Sequence, residues 1–164
     1  IIKIIQIMLK SILSVILMAV VCTVYSQNGF QSAIVANDAH TVKQLAKSGQ
    51  DLNAPFVSEG MTITPLAFAA VRADADMVSL LIKSGADVKK LVNGQDALMF
   101  AAKGGNKECV NLLLNSGANV LNENKEGRTA RDIAVNAGHT DVALILENAM
   151  KVITDNAKAK KAKK

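Results

Sequence analysis

Two histidines, two cysteines and one lysine followed by two glycines are the residues from which this 164-residue chain could assemble a reactive site. A metal centre would need His40 or His139 with Cys, Asp or Glu at ligand spacing, and neither has them. A nucleophile would need a base beside it and a third group to orient that base, and the carboxylates are scattered without a converging pair. Lys103-Gly104-Gly105 lacks the spacing of a phosphate-cradling loop and reads as a turn between two helices. His139 is expected to cap or bond locally, His40 to sit on the surface, and Cys109 to act as a small buried hydrophobe. No catalytic, cofactor-binding or metal-ligating residue is assigned, and the chain is expected not to be an enzyme.

The composition limits the elements that could position any site. Hydrophobic residues make up 50%, charged residues 20% and aromatic residues 3%, with no Trp. The length fits one domain, and the apolar fraction is too high for a disordered chain. So few aromatics argue against a base-stacking nucleic-acid platform, and no specific nucleic acid is expected. They also argue against an aromatic-rich β-sandwich. The formal charge of +5 is unevenly spread. Residues 27–150 hold 11 basic and 13 acidic side chains, a net of −2, while residues 151–164 hold six Lys against Asp155.

The opening segment reads as a secretory signal peptide, 1–26: Lys10, an uncharged apolar run, then Val24 and the small Ser26 ahead of a polar stretch. Cleavage is expected after Ser26, and Met8 is expected to be the true start, because Ile1 is an odd first residue. Two alternatives remain open: an uncleaved membrane anchor over 1–24, and a lipoprotein with Cys22 as its lipidated residue. Against the first, Lys10 interrupts the run; against the second, Val21 is not small. Cleavage would leave Cys109 alone, so the exported domain would be held by packing without an intramolecular disulfide. Export to the periplasm or outside the cell is the expected location, with periplasm preferred on the Ile-, Lys- and Asn-rich composition and the short signal.

Internal periodicity organises the remainder. VKQLAKSGQDLN (42–53), VSLLIKSGADVK (78–89) and VNLLLNSGANVL (110–121) place Gly49, Gly85 and Gly117 at intervals of 36 and 32 residues. TPLAFAA (64–70), DALMFAA (96–102) and TARDIAV (129–135) recur at intervals of 32 and 33, and Gly105-Asn106 and Gly138-His139 follow at a fixed offset. In TPLAFAA, Thr64 accepts a backbone N–H as an N-cap, and Pro65 at the first helical position loses no needed donor. Leu66, Ala69 and Ala70 then share one face. A second helix over 76–84 carries Met77, Val78, Leu80 and Leu81 at helical spacing, and Gly85 supplies the stop.

With these landmarks the chain resembles the ankyrin repeat over about residues 31–150. The resemblance implies an all-α fold, a solenoid of helix-turn-helix units joined by β-hairpin-like loops, in which stacked pairs share a core that no single pair could bury. Four units are expected within a domain at 27–150: a degenerate first at 31–53, then 60–88, 93–120 and 126–150. The connection before the second is three residues longer than the period requires, at 54–59. The family's TPLH His is replaced throughout, by Ala67, Met99 and Asp132, Asp96 stands for the capping Thr, and Met150 stands for the terminal glycine. Residues 151–164 read as a disordered Lys-rich tail, helical at most in the first turn.

Ankyrin repeats bind proteins through their hairpin tips and adjacent concave helix face. Mapped by repeat position, the partner-binding residues are Met61, Ile63, Val71 and Arg72 of the second unit. Asn93, Gln95 and Lys103 come from the third, and Lys125, Glu126, Arg128 and Asn136 from the fourth. A mixed strip of this kind supplies apolar area for affinity and charge for register. The competing reading packs Met61 and Ile63 against the long connection and leaves the charges solvated. The resulting expectation is a monomeric, non-catalytic module that binds another protein as scaffold, stabiliser or inhibitor. In the alternative, the Lys tail grips an anionic polymer or lipid surface.

Overall fold

The computed structural model describes residues 29–162. Residues 1–28, with the segment expected to be a signal peptide (1–26, Met8 and Cys22 included), and the final Lys163 and Lys164 lie outside the described residues. The described chain falls into two compact units, one ending at Gln50 and the other opening at Asp51. The first unit contains helix α1 (residues 29–35) and helix α2 (Ala39–Lys47). Asp38 starts α2 by accepting the Thr41 N–H at 3.1 Å and the Thr41 hydroxyl at 2.6 Å. Phe30, Ala33, Ile34 and Val42 form its buried side.

The second unit begins with a hairpin, β1 (Phe56–Ser58) and β2 (Met61–Ile63), paired antiparallel with Phe56 opposite Ile63 and Ser58 opposite Met61. The extra length noted before the second repeat is therefore spent on a strand. Glu59 and Gly60 between the strands both have positive φ, as the tight hairpin turn requires. Asn93-Gly94 repeats the device, where Val92 and Gln95 exchange backbone bonds of 2.9 and 3.0 Å in place of full strands.

Six helices follow: α3 (Pro65–Val71), α4 (Ala75–Lys83), α5 (Ala97–Gly104), α6 (Lys107–Asn115), α7 (Ala130–Asn136) and α8 (Thr140–Ala162). Thr64, Asp96 and Thr129 cap the first helix of each pair, and Asp74 and Asn106 cap the second helices α4 and α6. α3, α5 and α7 pack in one layer and α4, α6 and α8 in another, with each pair closed on itself. This is the expected all-α stack of helix pairs. Met77, Cys109 and Val142 occupy one repeat position, and Leu81, Leu113 and Leu146 another, and all six are buried. Cys109 thus does the packing work of Met and Val.

Within the first layer, neighbouring helices come close where a facing residue is small. A Cβ on Gly104 would lie 2.9 Å from the carbonyl oxygen of Val71. All of Ala97 to Ala102 in α5 is buried, as a helix covered on both sides demands. In α7 only Ala130 and Ala134 are buried. Polar residues replace the apolar ones on its open side: Arg131 stands where Leu66 and Leu98 stand in earlier units, and Asp132 where Ala67 and Met99 stand. Arg131 reaches Glu147 at 3.2 Å, and Asp132 completes a capping box with Thr129. The Thr129 backbone N–H, then its hydroxyl, holds the Asp132 carboxyl below its ordinary pKa. A polar end is what a terminal repeat needs to meet water.

The tail departs from expectation. α8 continues to Ala162 without a break, although residues 151–161 are all exposed. With Met150 in the glycine position nothing stops the helix, and the following Ala and Lys residues favour it intrinsically. The sparse apolar surface foreseen for this segment leaves it unpacked rather than unstructured.

Candidate functional site

A groove of about 370 Å³ runs between the third and fourth repeats and gathers Gln95, Lys103, Arg128 and Asn136, with Ile133, Ala137 and Asn124 completing its lining. Each side chain has a backbone reason for its place. Gln95 follows the Asn93-Gly94 turn, Lys103 occupies the last turn of α5, and Asn136 ends α7. Arg128 is set by Asn124, the buried residue that organises the last loop. The Asn124 Oδ1 accepts the N–H of Glu126 at 3.0 Å and of Arg128 at 2.9 Å. Its backbone N–H donates to the Arg128 carbonyl at 2.9 Å. Asn124 escaped the sequence reading. Its signal was available: Asn opens the turn, and Gly127 three residues later has positive φ.

The other mapped residues are less concentrated. Asn93, Lys125 and Glu126 are exposed at the hairpin tips, and the Lys125 side chain lies over Gly94. Glu126 pairs loosely with Arg128 at 3.6 Å. Met61 and Val71 are half-buried, and the exposed Arg72 sets its guanidinium 5.3 Å from the Phe68 ring centre. Ile63 requires a correction. It is 1% exposed and cannot meet a partner. Its repeat position is open in Gln95 and Arg128, but here the added strand β1 sets Phe56 across from it, and Phe56 itself packs 5.4 Å from Phe68.

His139 also differs from its reading. It bonds across repeats rather than locally: its Nε2 lies 3.2 Å from the Lys103 carbonyl, and its ring covers Gly105. Asn106, at the equivalent position, donates from Nδ2 to the Ala73 carbonyl at 3.2 Å. Asn122 donates to the buried Asp96 carboxylate at 2.9 Å, and Lys107 meets Asp141 at 2.6 Å. These polar contacts tie one repeat to the next, and those of His139 and Lys107 join the two repeats that wall the groove. Gln44 bonds the exposed His40 at 2.9 Å on the same helix.

Among the described residues no group of three or more His, Cys, Asp or Glu could hold a metal ion, and no helix is long and apolar enough to cross a membrane. The buried Cys109 thiol is pushed up from 9.0 to about 11, first by burial and then by the Asp74 and Glu108 carboxylates. Because the folded protein keeps this proton where the unfolded chain loses it, stability is expected to fall as pH rises from 9.0 to about 11. The loss should approach about 2–3 kcal/mol. Urea midpoints across that range check this, since Cys109→Val should lack the added slope.

Comparison with known families matches residues 66–156, more than half of the chain, to the model for ankyrin repeats in three copies. Comparison with curated proteins finds no match.

Proposed function

The chain belongs to the ankyrin-repeat family, and from that premise we propose that it is an exported, non-catalytic binder of a protein partner. It holds that partner on its hairpin tips and the adjacent face of the first helices, as scaffold, stabiliser or inhibitor. Ankyrin repeats are protein–protein interaction modules, which gives the class of function. The observation that carries the finer reading is the groove in which Gln95, Lys103, Arg128 and Asn136 meet. Its side chains come from two consecutive repeats, so it exists only in the folded stack. Apolar Ile133 beside cations and amides supplies both buried area and register. Export to the periplasm or the medium rests on the Lys10 apolar segment ending at Ser26. A monomer is expected from the polar closing repeat.

A second reading is favoured by the projecting part of α8. Lys151, Lys158, Lys160 and Lys161 are all exposed on it, so it presents a basic rod suited to an anionic polymer or lipid surface. One experiment separates the two. The immobilised chain is offered envelope extract at low and high salt, beside an Asn136→Trp variant and a variant with the Lys residues of 151–164 changed to Gln. A discrete protein retained at high salt by the native and Lys→Gln chains, and lost from Asn136→Trp, is the expected result. Retention that disappears with the lysines or with salt transfers the function to the tail.

A further inference from the structure

We propose that the groove between α5 and α7 receives an acidic, extended segment of the partner, with carboxylates toward Lys103 and Arg128 and an apolar side chain toward Ile133. This inference rests on the protein-binding reading and names the chemistry of what is bound. The groove lining holds two cations, three amides and no carboxylate, although acids outnumber bases 13 to 11 in residues 27–150. The nearby acids are engaged elsewhere. Asp141 pairs with Lys107, Glu147 with Arg131 on the opposite face of α7, and buried Asp96 with Asn122. Among the described residues Lys103 forms no ion pair, and it is an exposed residue of the groove wall.

Arg128 has only the loose 3.6 Å ion pair with Glu126, and both side chains are about half in water. Such an exposed pair is weak, and the guanidinium keeps further donors for an incoming carboxylate. Gln95 and Asn136 add donors and acceptors suited to the backbone of an extended chain. Ile133 gives the groove an apolar contact, which favours a peptide carrying both acidic and apolar side chains over a purely ionic polymer.

The probe is a fluorescein-labelled peptide of alternating Glu and Leu, with a twin in which Gln replaces Glu, followed by fluorescence anisotropy. The Glu peptide is expected to bind the native chain in a salt-sensitive way and the Gln twin to bind more weakly. Lys103→Glu with Arg128→Glu should weaken the Glu peptide at least about tenfold. The milder Lys103→Gln with Arg128→Gln, with thermal unfolding unchanged, should weaken it several-fold. Equal binding of the two peptides, no binding, or native affinity in both variants overturns the proposal. So does loss of binding when only the lysines of 151–164 are changed to Gln, or equally tight competition by a single-stranded oligonucleotide. The parent reading fails separately. A native partner displaced by Asn136→Trp but indifferent to charge at positions 103 and 128 keeps the module and removes its acidic specificity. Peptide binding without any retained partner does the reverse.

Discussion

Truncating Leu98 to Ala is expected to lower the unfolding free energy by about 3–5 kcal/mol, whereas Arg131→Ala at the same repeat position should cost less than about 1 kcal/mol. Leu98 is fully buried in α5, and α5 is flanked by α3 on one side and α7 on the other. The lost methyl groups would leave a cavity that neither neighbour can close without disturbing its own contacts. In a stack each repeat is held by those beside it, so a weakened central repeat also loosens its neighbours. Arg131 has 38% of its side chain in water, and its partner Glu147 has 42%. Removing that pair uncovers no apolar interior. Urea denaturation of both variants measures the contrast directly. Equal losses would mean that α7 is not a closing helix and that its outer side is covered.

Much of the stack was legible because its signals are local. Thr64 and Asp96 announce helix starts through their own side chains and cap the helices they were expected to cap, and Thr129 does the same at the matching repeat position. Gly85 and Gly117 mark the stops, with φ of 98° and 89°. The repeat period then dictates which helices share a core, since a fixed spacing brings Met77, Cys109 and Val142 to one level. What escaped depends on residues outside the repeating unit or on contacts between units. The period maps Ile63 with Gln95 and Arg128, whereas the competing reading, packing against the long connection, is the one that holds for it: the strand at Phe56–Ser58 sets Phe56 opposite Ile63, and a period alone contains no information about an insertion.

The tail was misread for a related physical reason. Lack of apolar residues predicts that a segment will not pack, and residues 151–161 do not. Packing is one source of helix stability; propagation from an anchored helix is another, and nucleation has already been met by the buried part of α8. The candidate face was legible as a set of positions, and four of its eleven members meet in one groove. Which four depended on the loop built around Asn124, whose bonds to Glu126 and Arg128 are long-range in effect though short-range in sequence.

Gly105→Ala is expected to cost about 2–4 kcal/mol, combining a left-handed backbone with a steric collision. Its φ is +72°, and an added Cβ would lie 2.5 Å from both Cε1 and Nδ1 of His139. The ring cannot simply swing away, because its Nε2 is 3.2 Å from the Lys103 carbonyl and its own carbonyl accepts the Ala143 N–H in the first turn of α8. Gly117→Ala separates the two contributions. That residue has φ +89° but nothing within 4 Å of the added carbon, so it reports backbone strain alone. Its cost should be about 1 kcal/mol. The excess at Gly105 then measures the collision, and His139→Ala should remove most of it. The double variant is expected to be more stable than the sum of the single losses by about 1–2 kcal/mol. Additive losses would show that the ring yields freely and does not hold the groove wall. If the coupling is present, His139 acts by holding Lys103 and the groove wall in register with α8.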